Sequence, residues 1–416
     1  MELKLFNRNF IMVVIGQMIS IFGNAILRFA LPLYILDKTG STTIFGTILA
    51  VSTIPTILFS PLGGILADRV NKKNMMVILD MITAVIIIVF CLLLTIGLEV
   101  ILIAILMIIF SLIQSFYQPV VQASMPAITA KDNLEKANGI VSLVNALSNL
   151  IGPLLAGILY GLYGIWPIMI TSSICFFLAS IMEMFIKMAF VKQTRHNSPL
   201  DMIKADFKES IHFIVKDNPI MLKVMIIISC INLFLTSMIL IGLPAMIKVK
   251  LGLSSQLYGF TQGAMAAGMI TGGILISILG KKVSANCAYI FLFLASLSLL
   301  PIGFAFSLSL DVMLTYIIIS LSCFLMMIII TMFNITMMSF AQRETPSHLI
   351  GKIISYILVL AQCTLPIGQA AYGYIFEVGM NSISTIIFVT AFFSTLVSVY
   401  SRAVFKELYI NVSEFQ

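Results

Sequence analysis

Long hydrophobic runs, each bounded by charged residues, Pro or Gly, follow one another along almost the whole chain. Each run has about the 20 residues that a helix needs to cross a bilayer. Alternating polar and apolar segments of about ten residues, which membrane strands would need, do not occur. The sequence therefore predicts an all-α membrane protein with twelve transmembrane helices. The predicted spans are 10–36, 43–67, 75–97, 100–124, 138–162, 165–188, 219–247, 256–279, 283–306, 311–339, 351–376 and 381–404.

Positive charge is distributed unevenly between the segments that join these runs. With the N-terminus inside, twenty of the 24 Lys and Arg residues fall on the inner side, whereas Lys38, Lys248 and Lys250 fall outside and Arg28 lies within a span. Because inner loops carry an excess of cations, this asymmetry predicts a multi-pass protein of the cell membrane with both termini cytoplasmic. The inner cations are spread over seven segments, so the net charge of +7 indicates no nucleic-acid-binding patch.

The composition excludes several other classes of protein. Hydrophobic residues make up 60% of the chain and charged residues 10%, with a mean hydropathy of +1.11. A soluble protein is nearer half apolar and a quarter charged. The six Cys lie inside apolar runs without the spacing of a zinc site. We therefore expect neither a soluble enzyme nor a disordered chain, and no metal or other cofactor.

The longest polar stretch, 189–218, separates six spans from six and predicts bundles at 1–188 and 219–416. The same four letters, Gly-Gly-Ile-Leu, occupy 63–66 and 272–275 in the second span of each half, and a Lys-Lys pair follows each at the same distance. Internal repeats of this kind are typical of secondary transporters, whose substrate site lies near the membrane midplane.

The linker between the halves contains its own helix signals. Ser198 fits an N-cap and Pro199 the first helical position. Ile203, Phe207 and Ile211 then recur at helical spacing among lysines. This pattern predicts an amphipathic helix on the inner membrane surface, and the alternative is a plain linker.

The segment from Gly63 to Lys73 reads GGILADRVNKK and joins spans two and three. It resembles the signature loop of the major facilitator superfamily, which runs Gly-x-Leu-Ala-Asp-Arg-x-Gly-Arg-Lys. The resemblance implies two pseudo-symmetric six-helix bundles, which this loop latches together on the cytoplasmic side. Asn71 replaces the usual Gly, but Asn tolerates left-handed backbone, so we expect the turn to be kept. The gating residues implied by the resemblance are Gly64, Asp68, Arg69, Lys72 and Lys73.

Span five contains a second motif, Asn149 to Gly157, which is similar to the Gly-Pro-x-x-Gly-Gly element of exporting, antiporter-type members of that superfamily. Gly152, Pro153 and Gly157 would bend the helix and allow close packing, and the alternative is a packing kink without directional meaning.

Two further stretches, Gln17–Leu33 and Tyr117–Pro126, resemble macrolide-efflux-type drug exporters, and siderophore exporters share these features. Span four lacks the Arg that many drug–proton antiporters carry, so proton coupling does not follow from that residue.

Polar side chains recur at spacings of three and four within several spans, so each set shares one face of its helix. In the superfamily, spans one, four, seven and ten line a central cavity, and the resemblance implies that these sets contact a small-molecule substrate. The candidate substrate-binding residues are Gln17, Asn24 and Arg28 in span one, Gln114 and Gln118 in span four, Asn232 in span seven and Asn334 in span ten.

Arg28 is the charged residue placed deepest in a span, about 12 Å from the outer end of its helix. Such residues are costly and usually functional. One hypothesis is that Arg28 binds an anionic or carbonyl-rich group, or closes the outer gate. The other is a structural Arg satisfied by carbonyl groups or by an acid on another helix.

Two acids, Asp80 and Glu183, lie one to two turns inside the inner ends of spans three and six. Each could accept a coupling proton, and the alternative is a structural pairing with inner-loop cations. Asp37 and Glu377 lie at outer ends, where we expect them to be solvated.

The leading hypothesis is a monomeric secondary transporter that exports amphipathic small molecules by alternating access in exchange for protons. No Gly-x-x-x-x-Gly-Lys-Ser/Thr loop occurs, so ATP is not the direct energy source. The proton is expected on family grounds alone. One alternative is a dedicated exporter of a single metabolite, siderophore or lipid. A membrane-embedded enzyme is a remote alternative, because the outer loops are short and hold no catalytic cluster.

Overall fold

A computed structural model describes residues 8–129, 133–188, 214, 216, 219–279, 287–345 and 350–413. In these ranges the chain forms helices joined by short non-helical segments, and it contains no strand. The predicted all-α membrane fold class is therefore confirmed. The predicted amphipathic linker helix at 198–216 lies outside the described residues.

Twelve helical segments correspond to the predicted spans. Within the described residues, eleven of them are long and apolar enough to cross a membrane. The helix Ile350–Val378 has 29 residues and completes the set. The segments are α1 Arg8–Thr39, α2 Thr42–Arg69, α3 Lys72–Leu93, α4 Glu99–Ile128, α5 Leu134–Tyr163, α6 Ile165–Met184, α7 Pro219–Lys250, α8 Ser255–Leu279, α9 Ala288–Ser307, α10 Val312–Glu344, α11 Ile350–Val378 and α12 Ile383–Ser413.

Two of these segments are not regular α-helices throughout. In α7, wide π-helical turns occupy Asn232–Thr236 and Ala245–Lys250. In α9, the regular helix ends at Leu297 and resumes at Leu300, one residue before Pro301. A Pro lacks the N–H that continues a helical ladder, which accounts for the interruption in α9.

The described chain divides into two compact units. In the first unit, α1 packs against α5 and α6, and α3 packs against α4 and α6. Serine hydroxyls reinforce the contact between α3 and α6. Ser173 Oγ donates to the Ala84 carbonyl at 2.9 Å, and Ser180 Oγ donates to the Val77 carbonyl at 3.0 Å.

The second unit repeats this packing order. Here α7 packs against α11 and α12, and α9 packs against α10 and α12. The helix pairs correspond one to one with those of the first unit when six is added to each helix number. The internal repeat suggested by the sequence is therefore also a repeat of packing.

The repeated Gly-Gly-Ile-Leu words pack in the same way in both units. A Cβ added at Gly63 would collide with the Ser115 carbonyl of α4, and one added at Gly272 would lie 2.5 Å from the Ile328 carbonyl of α10. The next glycine in each word has open space around it. The first glycine thus permits close helix contact.

Each unit also includes the beginning of one helix from the other half of the sequence. Ser41–Ala50, which contains the first turns of α2, belongs to the second unit, and Ser254–Gly263 of α8 belongs to the first. Paired glycines make both contacts. A Cβ on Gly46 would lie 2.9 Å from the Gly373 Cα, and a Cβ on Gly157 would lie 2.9 Å from the Gly259 Cα.

Candidate functional site

A buried polar cluster joins four helices of the first unit. The Tyr117 hydroxyl of α4 lies 3.0 Å from Glu183 Oε1 of α6 and 3.3 Å from Asp80 Oδ2 of α3. Gln17 Nε2 of α1 donates to the same hydroxyl at 2.6 Å. Ser20 Oγ, one turn further along α1, donates to Asp80 Oδ1 at 3.3 Å. We call these five residues the carboxyl cluster.

The surroundings of the carboxyl cluster are apolar. All five side chains are at most 2% exposed. Tyr117 is itself part of a hydrophobic core that includes Phe10, Val13, Met76 and Val120. Glu183 Oε2 is buried without a hydrogen-bond partner. The two acids are therefore shielded from the bulk solvent that would normally stabilise their charge.

The expected structural role of these acids was pairing with inner-loop cations. Among the described residues, no Lys, Arg or His makes a salt bridge to Asp80 or Glu183. Their hydrogen bonds come from the Tyr117 phenol, the Ser20 hydroxyl and the Gln17 amide. Within the described part of the chain, then, the two acids are not paired with cations.

Gln17 lies in the carboxyl cluster and is 2% exposed, so its side chain contacts Tyr117 and not an open surface. Its helical spacing with Asn24 and Arg28 indicated a shared face but not the depth at which each side chain ends. The sequence singled out Tyr117 only as part of a family-like stretch. A phenol among many aromatic residues carries no signal that it joins two acids.

The polar residues of α4 mostly remain accessible. Gln118 and Gln122 are exposed and Gln114 is half-buried. Ser111 lies further toward the N-terminus of α4, where its Oγ is 2.6 Å from Thr56 Oγ1 of α2. The exposed glutamines thus lie at the level of Tyr117 or toward the C-terminus of α4.

Arg28 is exposed and makes no hydrogen bond or salt bridge to any described residue. Asn24, one turn before it, has its Oδ1 buried without a partner. Along α1, Arg28 lies about 16 Å from Gln17, so the polar residues of span one do not form one compact site.

In the second unit, the two predicted residues have different surroundings. Asn232 connects helices, because its Nδ2 donates to the Ala361 carbonyl of α11 at 3.0 Å and its Oδ1 accepts from Thr236 Oγ1 at 3.1 Å. It opens the first wide turn of α7, where π-helical geometry changes the usual backbone pairing. Asn334 of α10 is exposed.

The predicted gating loop ends α2 and begins α3. Gly64 and Arg69 are exposed, and Lys72 and Lys73 are half-buried. The side chain of Asp68 lies outside the described part of the structure. Asn71 has φ −68° and ψ 106°, and its side chain accepts from the Asn74 N–H at 3.2 Å. Asn71 therefore lies in the short connection between α2 and α3 but does not adopt left-handed backbone, and it caps α3 from an extended conformation.

The second predicted motif packs against two neighbouring helices. A Cβ added at Gly152 would lie 2.5 Å from the Ala25 Cβ of α1, and Gly157 meets Gly259 of α8. Pro153 lies inside α5, which continues to Tyr163. Small residues on both sides of the Pro thus bring α5 close to its neighbours.

The acids at the outer ends, Asp37 and Glu377, are exposed as expected, and they also have protein partners. The Glu377 carboxylate accepts from Ser41 Oγ at 2.9 Å, from the Thr43 N–H at 3.0 Å and from Thr42 Oγ1 at 3.2 Å. Asp37 accepts from the Tyr160 hydroxyl at 3.0 Å. Glu377 therefore caps the N-terminus of α2, where a negative charge is favourable.

Comparisons with known proteins agree with this architecture. The Major Facilitator Superfamily matches residues 13–369. Macrolide efflux protein A of Streptococcus pyogenes is 23% identical over 292 residues, which cover 68% of this chain and 70% of that protein. The uncharacterised MFS-type transporter YkuC of Bacillus subtilis strain 168 is 23% identical over 308 residues, which cover 72% of this chain and 71% of that protein.

Solved structures of several transporters share the fold. A D-xylose-proton symporter has a TM-score of 0.73 at 11% identity, with 95% of this chain and 96% of that one covered. A bacterial homologue of the iron transporter ferroportin, in an inward-facing state, has a TM-score of 0.70 at 14% identity, with 96% and 98% covered. At such identities the likeness concerns the fold and not the substrate. Because the family match extends over most of the sequence, this multi-pass membrane protein belongs to the major facilitator superfamily of transporters.

Proposed function

We propose that the protein is a secondary active exporter of amphipathic small molecules, which it carries by alternating access in exchange for protons. Its similarity to a macrolide efflux protein supports an amphipathic substrate. The proposed place of action is the plasma membrane, with both termini cytoplasmic, lipid around the helices and a monomer as the working form. The bundles 1–188 and 219–416 would be the two moving parts.

The observation that carries the proposal is the state of Arg28. It is exposed and without a partner among the described residues. A structural Arg within a span would be expected to hold a carbonyl group or an acid, because an unpaired charge there is costly. Arg28 is thus available to a carbonyl-rich or anionic group of a ligand. The accessible residues Asn334, Gln114 and Gln118 add further hydrogen-bonding capacity.

The loop around Asp68 and the α5 motif supply the proposed moving elements. Gly64, Arg69, Lys72 and Lys73 join α2 to α3 at the predicted inner surface. Gly152 and Gly157 bring α5 close to α1 and α8, so a change in α5 would affect both neighbours. We assign the loop to gating and the α5 motif to helix bending.

An accumulation assay tests the export function. Cells that express the protein should accumulate less labelled erythromycin, a macrolide, than cells that lack it, and a protonophore should remove the difference. Equal accumulation across a broad panel of amphipathic drugs would contradict drug export.

Replacing Arg28 tests its proposed binding role. If Arg28 forms a charge-assisted hydrogen bond with substrate, Arg28→Ala should raise the half-saturating substrate concentration about tenfold or more. Arg28→Lys should have a smaller effect, because the charge remains. Thermal stability should stay unchanged in both variants, since Arg28 contacts no described partner. Arg343→Ala, at the exposed end of α10, is the matched control. Normal transport by both Arg28 variants would remove the role.

A dedicated exporter of a single metabolite, siderophore or lipid is the second candidate. The fixed cation Arg28 favours it, because a positive charge suits anionic substrates better than cationic drugs. A thermal-shift screen of the purified protein against drugs, siderophores and lipids separates the two proposals. Stabilisation by one anionic class alone would support the dedicated exporter.

A further inference from the structure

We infer that Asp80, Tyr117 and Glu183 form a proton-binding site within the first unit. We further infer that Gln17 connects this site to the helix that carries Arg28. The first inference concerns the carboxyl cluster alone. The second rests on the proposed proton-coupled export.

The buried setting of Asp80 and Glu183 is electrostatically unfavourable for two negative charges. Asp80 and Glu183 are at most 1% exposed and share one phenol oxygen as a neighbour. Two carboxylates held together away from water repel each other and lose their hydration, unless a cation or a proton compensates. No described cation contacts them. A shared proton therefore provides the compensation, and the two acids titrate as one unit.

The number of hydrogen atoms available at Tyr117 limits its hydrogen bonds. A phenol has one hydrogen to donate and can accept others on its oxygen. Gln17 already donates to the Tyr117 oxygen. Tyr117 can donate its hydrogen to only one of the two carboxyl groups within reach. The other carboxyl can bond to the same oxygen only if it carries a proton and donates it. The observed geometry thus has a place for one added proton.

The same geometry provides a route between the acids. When protonated Asp80 donates its hydrogen to the Tyr117 oxygen, Tyr117 passes its own hydrogen to Glu183. Asp80 then becomes a carboxylate, Glu183 becomes a neutral acid and Tyr117 remains a neutral phenol. The net result is the transfer of one proton from α3 to α6, because Tyr117 gives up one hydrogen and receives another.

Four helices contribute the polar groups of the carboxyl cluster. They are Gln17 and Ser20 from α1, Asp80 from α3, Tyr117 from α4 and Glu183 from α6. Apart from Arg28 on α1, the other charged residues of these helices lie at helix ends. These end residues are Arg8, Asp37, Lys38, Lys72, Lys73 and Glu99.

Loss of the proton would change the hydrogen bonds at Tyr117 and therefore also the hydrogen bond that Gln17 donates to it. Since Gln17 and Arg28 share α1, this contact is a physical route from proton binding to the proposed substrate site. Coupling along a shared helix is established only when a change in proton binding also changes transport, so both quantities are measured.

Infrared spectroscopy tests the proton site without any substrate. The purified full-length protein is titrated with base while the carbonyl band of protonated carboxyl groups is recorded. We expect the wild type to keep such a band at neutral pH and to lose it in alkali. The Asp80→Asn/Glu183→Gln variant should lack this band at neutral pH. Glu99→Gln should retain it, because Glu99 is a half-buried acid that forms a salt bridge with Lys38. A wild type without the band, or a double variant that keeps it, would overturn the proton site.

If the double variant does not fold, the wild-type titration and the single variants carry the same test. Each single variant should alter the band, because the proton belongs to the pair. A band that is unaffected by either single substitution in a folded protein would overturn the assignment.

Proteoliposomes test the coupling role. With labelled erythromycin as the probe, the wild type should accumulate substrate when a pH difference is imposed, and should also exchange substrate at equal pH. The double variant should lose the first activity and keep the second. Accumulation driven by pH in the double variant would overturn coupling through this site. Absence of both activities in the wild type would overturn the proposed export and the coupling role together, while the infrared result would stand by itself.

Discussion

At the scale of single residues, one phenol oxygen is the meeting point of side chains from three other helices. Tyr117 accepts from Gln17 and lies within hydrogen-bond distance of Asp80 and Glu183. Its ring also packs in the apolar core beside Phe10 and Met76. The residue thus has two separable contributions, a hydrophobic one from the ring and a polar one from the hydroxyl.

The substitution Tyr117→Phe removes the polar contribution and keeps the ring. We expect it to lower the free energy of unfolding by about 1–3 kcal/mol, because buried polar groups lose their partner. Thermal unfolding in detergent measures the effect. Tyr163→Phe is the control, since Tyr163 is 66% exposed. Equal unfolding temperatures for both variants would contradict a structural role of the hydroxyl.

At the scale of helices, close packing depends on which glycine of a pair faces a neighbour. In α8, Gly272 faces the backbone of α10, whereas Gly273 has nothing within 4 Å of an added Cβ. The corresponding glycines of α2 show the same difference. Neighbouring identical residues therefore have different structural roles, and the difference recurs in both halves.

Alanine substitutions separate these roles. Gly272→Ala should destabilise the protein by about 1–3 kcal/mol, because the added methyl group overpacks against the Ile328 carbonyl. Gly273→Ala, the matched control, should be neutral or stabilising by up to about 1 kcal/mol, since Ala favours helix more than Gly does. Unfolding temperatures in the same detergent test both. If Gly273→Ala were the more damaging change, the assigned packing would be wrong.

At the scale of the whole molecule, the compact units do not follow the division of the sequence into halves. Ser41–Ala50 belongs to the second unit, where Gly46 packs on Gly373 and Glu377 caps the first turn of α2. Ser254–Gly263 belongs to the first unit, where Gly259 packs on Gly157. Each unit is therefore built from residues of both halves.

Removing the cap tests the attachment of α2 within the second unit. Glu377→Gln should lower the free energy of unfolding by about 0.5–2 kcal/mol, because an amide accepts hydrogen bonds without the favourable charge at a helix N-terminus. Glu344→Gln, an exposed acid at the end of α10, is the control. Thermal unfolding in low salt should separate the two variants. No difference between them would show that the cap contributes nothing measurable.

The sequence predicts the helices well and the carboxyl cluster only in part. Apolar runs indicate spans because lipid requires them, and the family resemblance indicated by Gly63–Lys73 is confirmed. Asp80 and Glu183 were identifiable because charge within a span is rare. Their shared contact with Tyr117 was not, since it depends on the rotation and depth of three helices. For the same reason, the spacing indicated that Gln17 and Arg28 share one face of α1, but it did not indicate that Gln17 lies in the buried core.

The crossing of α2 and α8 between the units has a consequence for attempts to express the halves as separate fragments. A break in the linker would leave 41–50 on the first fragment and its docking surface around Gly373 on the second. The second fragment would likewise carry residues 254–263 of α8, whose Gly259 packs on Gly157 of the first fragment. Reassembly would therefore resemble a reciprocal domain swap, in which each fragment lends a helix end to the other and neither is complete alone.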